Sequence, residues 1–128
     1  MCGLVGILDL RGARPIARAR VRRMAEAVRH RGPDGEGIHV EPGLGLGHRR
    51  LAVIDLAGGV QPMAGADGRL RLVYNGEIYN YRELRSDLVA RGHRFATRSD
   101  TEVLLAAYAE WGPGCVERLR GMFAFAIW

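Results

Sequence analysis

The sequence predicts an α+β domain. Two kinds of segment alternate along it. Apolar runs of strand length are bounded by Gly, Pro and Asn, and stretches with helical apolar spacing start at capping residues and stop at Gly. Composition supports a folded chain: of 128 residues, 48% are hydrophobic and 26% charged, ordinary for one globular domain. That excludes a disordered tail, a collagen-like repeat and a disulfide-dense miniprotein.

The elements follow in order. Cys2 to Leu8 is a short apolar run rich in Val and Ile, read as a buried strand. Pro15 suits the first turn of a helix whose apolar face is Ile16, Val21, Met24, Ala25 and Val28, ending near Arg29. His30-Arg31-Gly32-Pro33-Asp34-Gly35 reads as a tight loop. Strands over Gly37 to Val40 and Leu44 to Ile54 are joined by the turn Glu41-Pro42-Gly43. A loop runs from Ala57 to Arg69. Leu70 to Tyr74 is a strand leading directly into Asn75-Gly76. A helix over Tyr81 to Arg91 has Asn80 as cap, Glu83 at the capping-box position and Gly92 as stop. Ser99 with Glu102 repeats that pattern for a helix carrying Val103, Leu104, Ala107, Tyr108 and Trp111, which Gly112 ends. A helical turn near Val116 to Leu119 leads to a strand over Gly121 to Trp128. The chain stops inside that apolar strand, so it is expected to be the N-terminal fragment of something longer, with strand partners supplied by further sequence.

Several function classes are set aside. Nineteen basic against fourteen acidic residues give +5, and every basic residue is Arg. Charge alone leaves a nucleic-acid reading open, but no Arg run exceeds two, so no nucleic-acid partner is expected. No stretch of about 18 apolar residues exists to span a membrane. The N-terminus has neither a basic segment nor a small-residue cleavage site, so it does not read as a secretory signal. Cys2 and Cys115 lie in no CxxC or His-spaced pattern, so no metal site is expected and a reduced cytoplasmic compartment is the natural reading.

Cys2 is the residue with most chemistry. Removal of Met1 would leave it with a thiol and a free α-amine on one residue, a nucleophile with its own base. The alternative is a small buried hydrophobe at a strand start. Asn75-Gly76 could place a side-chain amide and a backbone N–H on one developing negative oxygen, or could be a simple hairpin turn. In Arg49-Arg50, alternation puts one guanidinium on each strand face, so one could enter a pocket and grip a carboxylate; otherwise both are solvated. Asp100 could favour a helix dipole or bind an ammonium.

Together these segments resemble the class II glutamine amidotransferases, glutaminase domains with an N-terminal catalytic cysteine. The resemblance runs through Met1-Cys2-Gly3, Arg29-His30-Arg31-Gly32-Pro33-Asp34, His48-Arg49-Arg50-Leu51, Gln61-Pro62, Tyr74-Asn75-Gly76-Glu77-Ile78-Tyr79-Asn80, Ser99-Asp100-Thr101-Glu102 and Gly121-Met122-Phe123-Ala124-Phe125-Ala126. Within the class it is most similar to the asparagine synthetase branch. Glu41 to His48 is also similar to asparagine-synthetase-like amidotransferases of bacterial exopolysaccharide and exosortase clusters.

The resemblance implies an Ntn-hydrolase fold, a four-layer αββα sandwich of two antiparallel sheets, here truncated at its C-terminus. It implies that Cys2 attacks the carboxamide of L-glutamine and that Asn75 and Gly76 form the oxyanion hole. Arg50 would hold the substrate carboxylate, Leu51, Ala52, Val53 and Ile54 would line the pocket, and Glu77 and Asp100 would receive the α-ammonium. Arg31 and Asp34 would support the pocket. Residues 1–128 would be the first part of the glutaminase domain, with no cofactor of its own. A synthetase domain outside this chain would bind ATP and magnesium and use the ammonia, and the full-length form could be a homodimer. The other readings are a non-catalytic fragment and, more distantly, a redox-sensing thiol protein.

Overall fold

The computed structural model describes residues 1–11, 14–53, 55 and 58–128. Two three-stranded antiparallel sheets stack between helices. The first has the order β1 (Gly3–Leu8), β3 (Leu44–Arg50), β2 (Gly35–Glu41). The second has the order β4 (Met63–Ala64), β5 (Arg71–Ile78), β6 (Gly121–Ile127). Helix α1 (Arg18–Ala27) covers the first sheet, and α2 (Tyr81–Ala90) and α3 (Asp100–Trp111) cover the second. The layer order is therefore helix, sheet, sheet, helix pair, the sandwich expected.

Strand alternation assigns each face. On β3, Gly45 and Gly47 lie under α1. A methyl at Gly45 would sit 2.6 Å from the Val21 side chain, so the missing side chains let the helix approach. Leu44 and Leu46 point the other way and meet Val73 of β5 and Leu4 of β1 between the sheets. The opposite face of β5 sends Leu72, Tyr74 and Ile78 into a second core with Leu84 and Leu88 of α2 and Val103, Leu104 and Ala107 of α3. Burying each large aliphatic residue there contributes about 1.5–3 kcal/mol. Cys115 is fully buried in that same core and packs as a hydrophobe.

Several boundaries differ from the sequence reading. β3 ends at Arg50, because the next two amide groups leave the ladder: Leu51 N–H meets the Cys2 sulfur at 3.3 Å and Ala52 N–H donates to Asp34 at 2.9 Å. Ile54, where the strand was expected to end, lies outside the described residues, as does Ala57. β2 starts two residues early, at Gly35, and the expected loop contains β4. β5 does not stop before Asn75-Gly76 but continues to Ile78, because β6 pairs with it through Asn75↔Ala124 and Gly76↔Phe123. Cross-strand bonding overrides the local turn preference. Pro15 precedes α1 rather than opening it. Asn80 does not cap α2, and Glu83 completes no capping box. Asn80 instead donates to Arg118 O and accepts from Arg120 N, both at 2.9 Å, fixing the entry to β6. The helical turn expected near Val116 is the end of a longer 3₁₀ run over Gly112–Arg118. The α3 cap stands: Ser99 Oγ accepts from Glu102 N at 3.2 Å, while the Glu102 carboxylate accepts from Thr97 N at 2.7 Å and Ala96 N at 2.9 Å. Among the described residues, no helix is long and apolar enough to cross a membrane.

Candidate active site

The site forms on the edge of β5 that β4 leaves uncovered. Arg71 exchanges both backbone hydrogen bonds with Trp128, and Tyr79 N–H donates to Arg120 O. Odd-numbered residues of β5 therefore turn their amides toward β6, and even-numbered residues turn theirs toward the opposite edge. β4 pairs there only with Arg71 and Leu72. Beyond it, among the described residues, side chains take the place of a strand. Tyr74 N–H donates to Gln61 Oε1 at 2.5 Å, and Tyr74 C=O accepts from His48 Nε2 at 3.0 Å. Ile78 N–H donates to Asp100 Oδ2 at 3.2 Å. Between these filled positions, Gly76 N–H points off the β6 side into a cavity.

That cavity has a volume of about 100 Å³. Most of the predicted site residues line it: Cys2, Arg50, Leu51, Val53, Asn75, Gly76, Glu77 and Asp100. Ala52 does not; its amide serves Asp34 instead. Ile54 lies outside the described residues. Met1, Gly59, Gln61, Tyr74 and Thr101 complete the lining.

Each group is held from behind. Cys2 accepts from Leu51 N–H on its sulfur, its S–H lies 3.6 Å from Leu51 O, and its carbonyl accepts from Arg31 Nε at 3.1 Å. Asp34 accepts from Ala52 N–H, and its own N–H donates to Arg50 O at 2.9 Å, so it fixes the segment that leaves β3. Arg31 and Asp34 thus hold backbone groups of Cys2 and of the segment after β3. Arg50 donates to Asp55 O at 2.6 Å. The Asp55 carboxylate accepts from Arg98 N–H and Gly58 N–H, which hold its pKa below the usual carboxylate range. Arg49 faces the other way. It ion-pairs with Glu26 and with Glu36, the latter at 2.9 Å, and donates to Ala25 O.

Asn75 and Glu77 share the face of β5 that carries Val73, toward the first sheet and Cys2. Asn75 Oδ1 is buried, and among the described residues it has no hydrogen-bond partner. A half-turn of the carboxamide exchanges its oxygen and nitrogen, so this spot can offer an N–H donor beside that of Gly76. Gly76 must lack a side chain, since a methyl would lie 2.6 Å from Phe123 Cα and against Met122 O.

Charge is sorted within the cavity. Burial pushes the Glu77 carboxyl up, and the nearby Asp100 carboxylate pushes it further. Asp100 is 5% exposed and accepts from Tyr74 Oη at 2.7 Å as well as from Ile78 N–H. Burial first, then the hydrogen bond to Asp100, raises the Tyr74 hydroxyl, so it stays a donor. Burial lowers His48 to about 4, and its Nε2 carries the proton that Tyr74 O accepts. The cavity thus gathers a thiol, the Gly76 backbone, the Asn75 carboxamide, a guanidinium and two carboxylates. Those are the groups needed to bind both ends of an α-amino acid and to attack its side-chain carbonyl.

The sequence reading assigned no role to His48, Gln61 or Tyr74. His48 and Tyr74 occupied recognisable segments, and Gln61 preceded Pro62, but only the bare edge of β5 shows what they satisfy.

The family model described as Glutamine amidotransferase domain matches residues 1–128. The chain is 45% identical over 130 residues to glutamine-hydrolyzing asparagine synthetase 3 of Bacillus subtilis strain 168, covering all of this chain and 21% of that protein. It is 39% identical over 128 residues to glutamine-hydrolyzing asparagine synthetase B of Escherichia coli K12, covering all of this chain and 23% of that protein. The chain thus spans about a fifth of the length of these relatives. In fold it is similar to the glutamine phosphoribosylpyrophosphate amidotransferase of B. subtilis, with a TM-score of 0.79 at 23% identity over all of this chain and 35% of that one. The chain belongs to the glutamine amidotransferase domain family, with an Ntn-hydrolase-type sandwich fold.

Proposed function

We propose that this chain is the first part of a glutaminase domain, residues 1–128, that hydrolyses L-glutamine to glutamate and ammonia. The observation that carries the reading is the gathering of Cys2, Gly76, Asn75, Arg50, Glu77 and Asp100 around one cavity, although they come from both sheets and from α3.

Removal of Met1 leaves Cys2 with a free α-amine, and also clears a residue that lines the cavity beside the thiol. The amine takes the thiol proton, and the sulfur attacks the side-chain carboxamide carbon. Leu51 N–H is already directed at that sulfur and holds it at the cavity. Negative charge then builds on the amide oxygen. Gly76 N–H and the Asn75 carboxamide meet it, a pair of fixed donors of the kind worth about 3–4 kcal/mol each. The C–N bond breaks as the amine returns its proton to nitrogen, and ammonia leaves. Water attacks the Cys2 thioester through the same oxyanion position, releasing glutamate and restoring the thiol. Arg50 binds the substrate α-carboxylate through its fork of donors. Asp100 and Glu77 bind the α-ammonium, which in turn favours the ionised form of Glu77.

The names of the relatives point to asparagine synthesis as the use of the ammonia. A related amidation in exopolysaccharide or exosortase clusters is the second use in view. In either case the acceptor carboxylate is activated with ATP and magnesium by a synthetase domain outside these residues.

The test is glutamine-dependent release of glutamate by the protein as the cell makes it. Cys2→Ala should abolish it, and Cys2→Ser should nearly abolish it, because an alcohol is far less ionised than a thiol at neutral pH. Synthesis from added ammonia should continue in both variants. Equal loss with glutamine and with ammonia would overturn the assignment.

A further inference from the structure

Asp100 is held more firmly than binding an ammonium requires. It opens α3 directly after the Ser99 cap. One of its oxygens, Oδ2, accepts twice: from the Tyr74 hydroxyl at 2.7 Å and from Ile78 N–H at 3.2 Å. No described residue donates to Oδ1. Both donors come from β5, two residues either side of Gly76, so they are rigid with respect to the strand that faces the substrate. Tyr74 itself is 3% exposed, its ring packed in the core between β5 and the helices.

We infer that Tyr74 is a positioning residue for recognition of the substrate ammonium. Its hydroxyl and the Ile78 amide occupy Oδ2, so Asp100 keeps one rotamer and presents Oδ1 to the cavity. This rests on the proposed role of Asp100 in holding the α-ammonium of glutamine. Without the hydroxyl, Ile78 N–H alone does not fix the carboxylate plane, and Asp100 turns part of its charge away from the ligand. Strand alternation gives the Tyr74-Asn75 dipeptide two tasks at once: Asn75 faces the reacting carbonyl and Tyr74 reaches behind to the amine end of the site.

The experiment compares wild type, Tyr74→Phe, Asp100→Asn and the double variant, on the protein as the cell makes it and below all melting midpoints. Two quantities are read: KM and kcat for glutamine, and the inhibition constant of glutaramate, which is glutamine without its α-amine. Tyr74→Phe should raise KM for glutamine about tenfold, the scale of one charge-assisted hydrogen bond. It should change kcat less than about twofold and leave glutaramate inhibition unaltered, because that ligand has no ammonium to place. In the Asp100→Asn background, Tyr74→Phe should add nothing. An equal loss of affinity for both ligands would mean that Tyr74 only supports packing, and would overturn the inference. So would an unchanged KM in Tyr74→Phe while Asp100→Asn raises it. An unchanged KM in Asp100→Asn would instead overturn the underlying reading of Asp100.

Discussion

Gly76→Ala tests whether the β5 edge supplies the oxyanion donor. The added methyl would lie 2.6 Å from Phe123 Cα and press on Met122 O. Carbon atoms rest at about 3.5–4.0 Å, so β5 and β6 must part locally by about 1 Å. Neither strand can yield freely, since Gly76 pairs with Phe123 inside a continuous ladder from Leu72 to Ile78. The Gly76 N–H therefore shifts by a comparable distance. A donor of this kind works at about 2.7–3.1 Å from the developing oxyanion, so the bond is lost, and loss of one such donor costs about 100- to 1000-fold in kcat. Overpacking also costs about 1–3 kcal/mol of stability, which lowers Tm. The assay is the initial rate of glutamate release at saturating glutamine, with Tm measured in the same buffer. We expect kcat to fall at least 100-fold in protein that remains folded. A folded Gly76→Ala variant with kcat within about threefold of wild type would refute the reasoning.

Two further predictions separate neighbouring roles. Arg50→Ala should raise KM for glutamine about 30- to 150-fold, the effect of losing about 2–3 kcal/mol of charge pairing in a partly desolvated site. Arg49→Ala should leave KM unchanged but cost about 2 kcal/mol of stability, less than a fully buried pair because Glu26 and Glu36 stay partly solvated; a larger KM effect for Arg49 would mean the strand faces are reversed. His48 has a folded pKa of about 4 against an ordinary 6.5. The unfolded chain therefore binds the extra proton between those values, and stability is lost as pH falls from 6.5 through 4, by roughly 3 kcal/mol in all. His48→Gln, which keeps an N–H donor for Tyr74 O, should lack that share of the acid loss; parallel curves of unfolding free energy against pH would contradict it.

What was legible in the sequence was local. Ser99 and Glu102 mark the start of α3 because a cap depends on residues three apart. The opposite faces of Arg49 and Arg50 follow from the period of a strand, and the structure puts Arg49 against α1 and Arg50 at the cavity. What was hidden depended on distant partners. Asn75-Gly76 carries a strong local turn signal, yet β6, about fifty residues later, holds it in a strand. Asn80 has the composition of a helix cap but is drawn to Arg118 and Arg120. The strand after Leu44 stops at Arg50 because Cys2 and Asp34 take the next amides. Gln61, His48 and Tyr74 matter through an uncovered strand edge, which no spacing along the chain announces.

The central claim is that Cys2, freed of Met1, is the nucleophile that meets the side-chain end of glutamine in the cavity. It is tested most directly by mass spectrometry of the protein after reaction with a diazoketone analogue of glutamine. The expected result is one adduct per chain, on an N-terminal peptide beginning at Cys2, with labelling suppressed by excess glutamine. An adduct on another residue, or active protein that retains Met1, would contradict it.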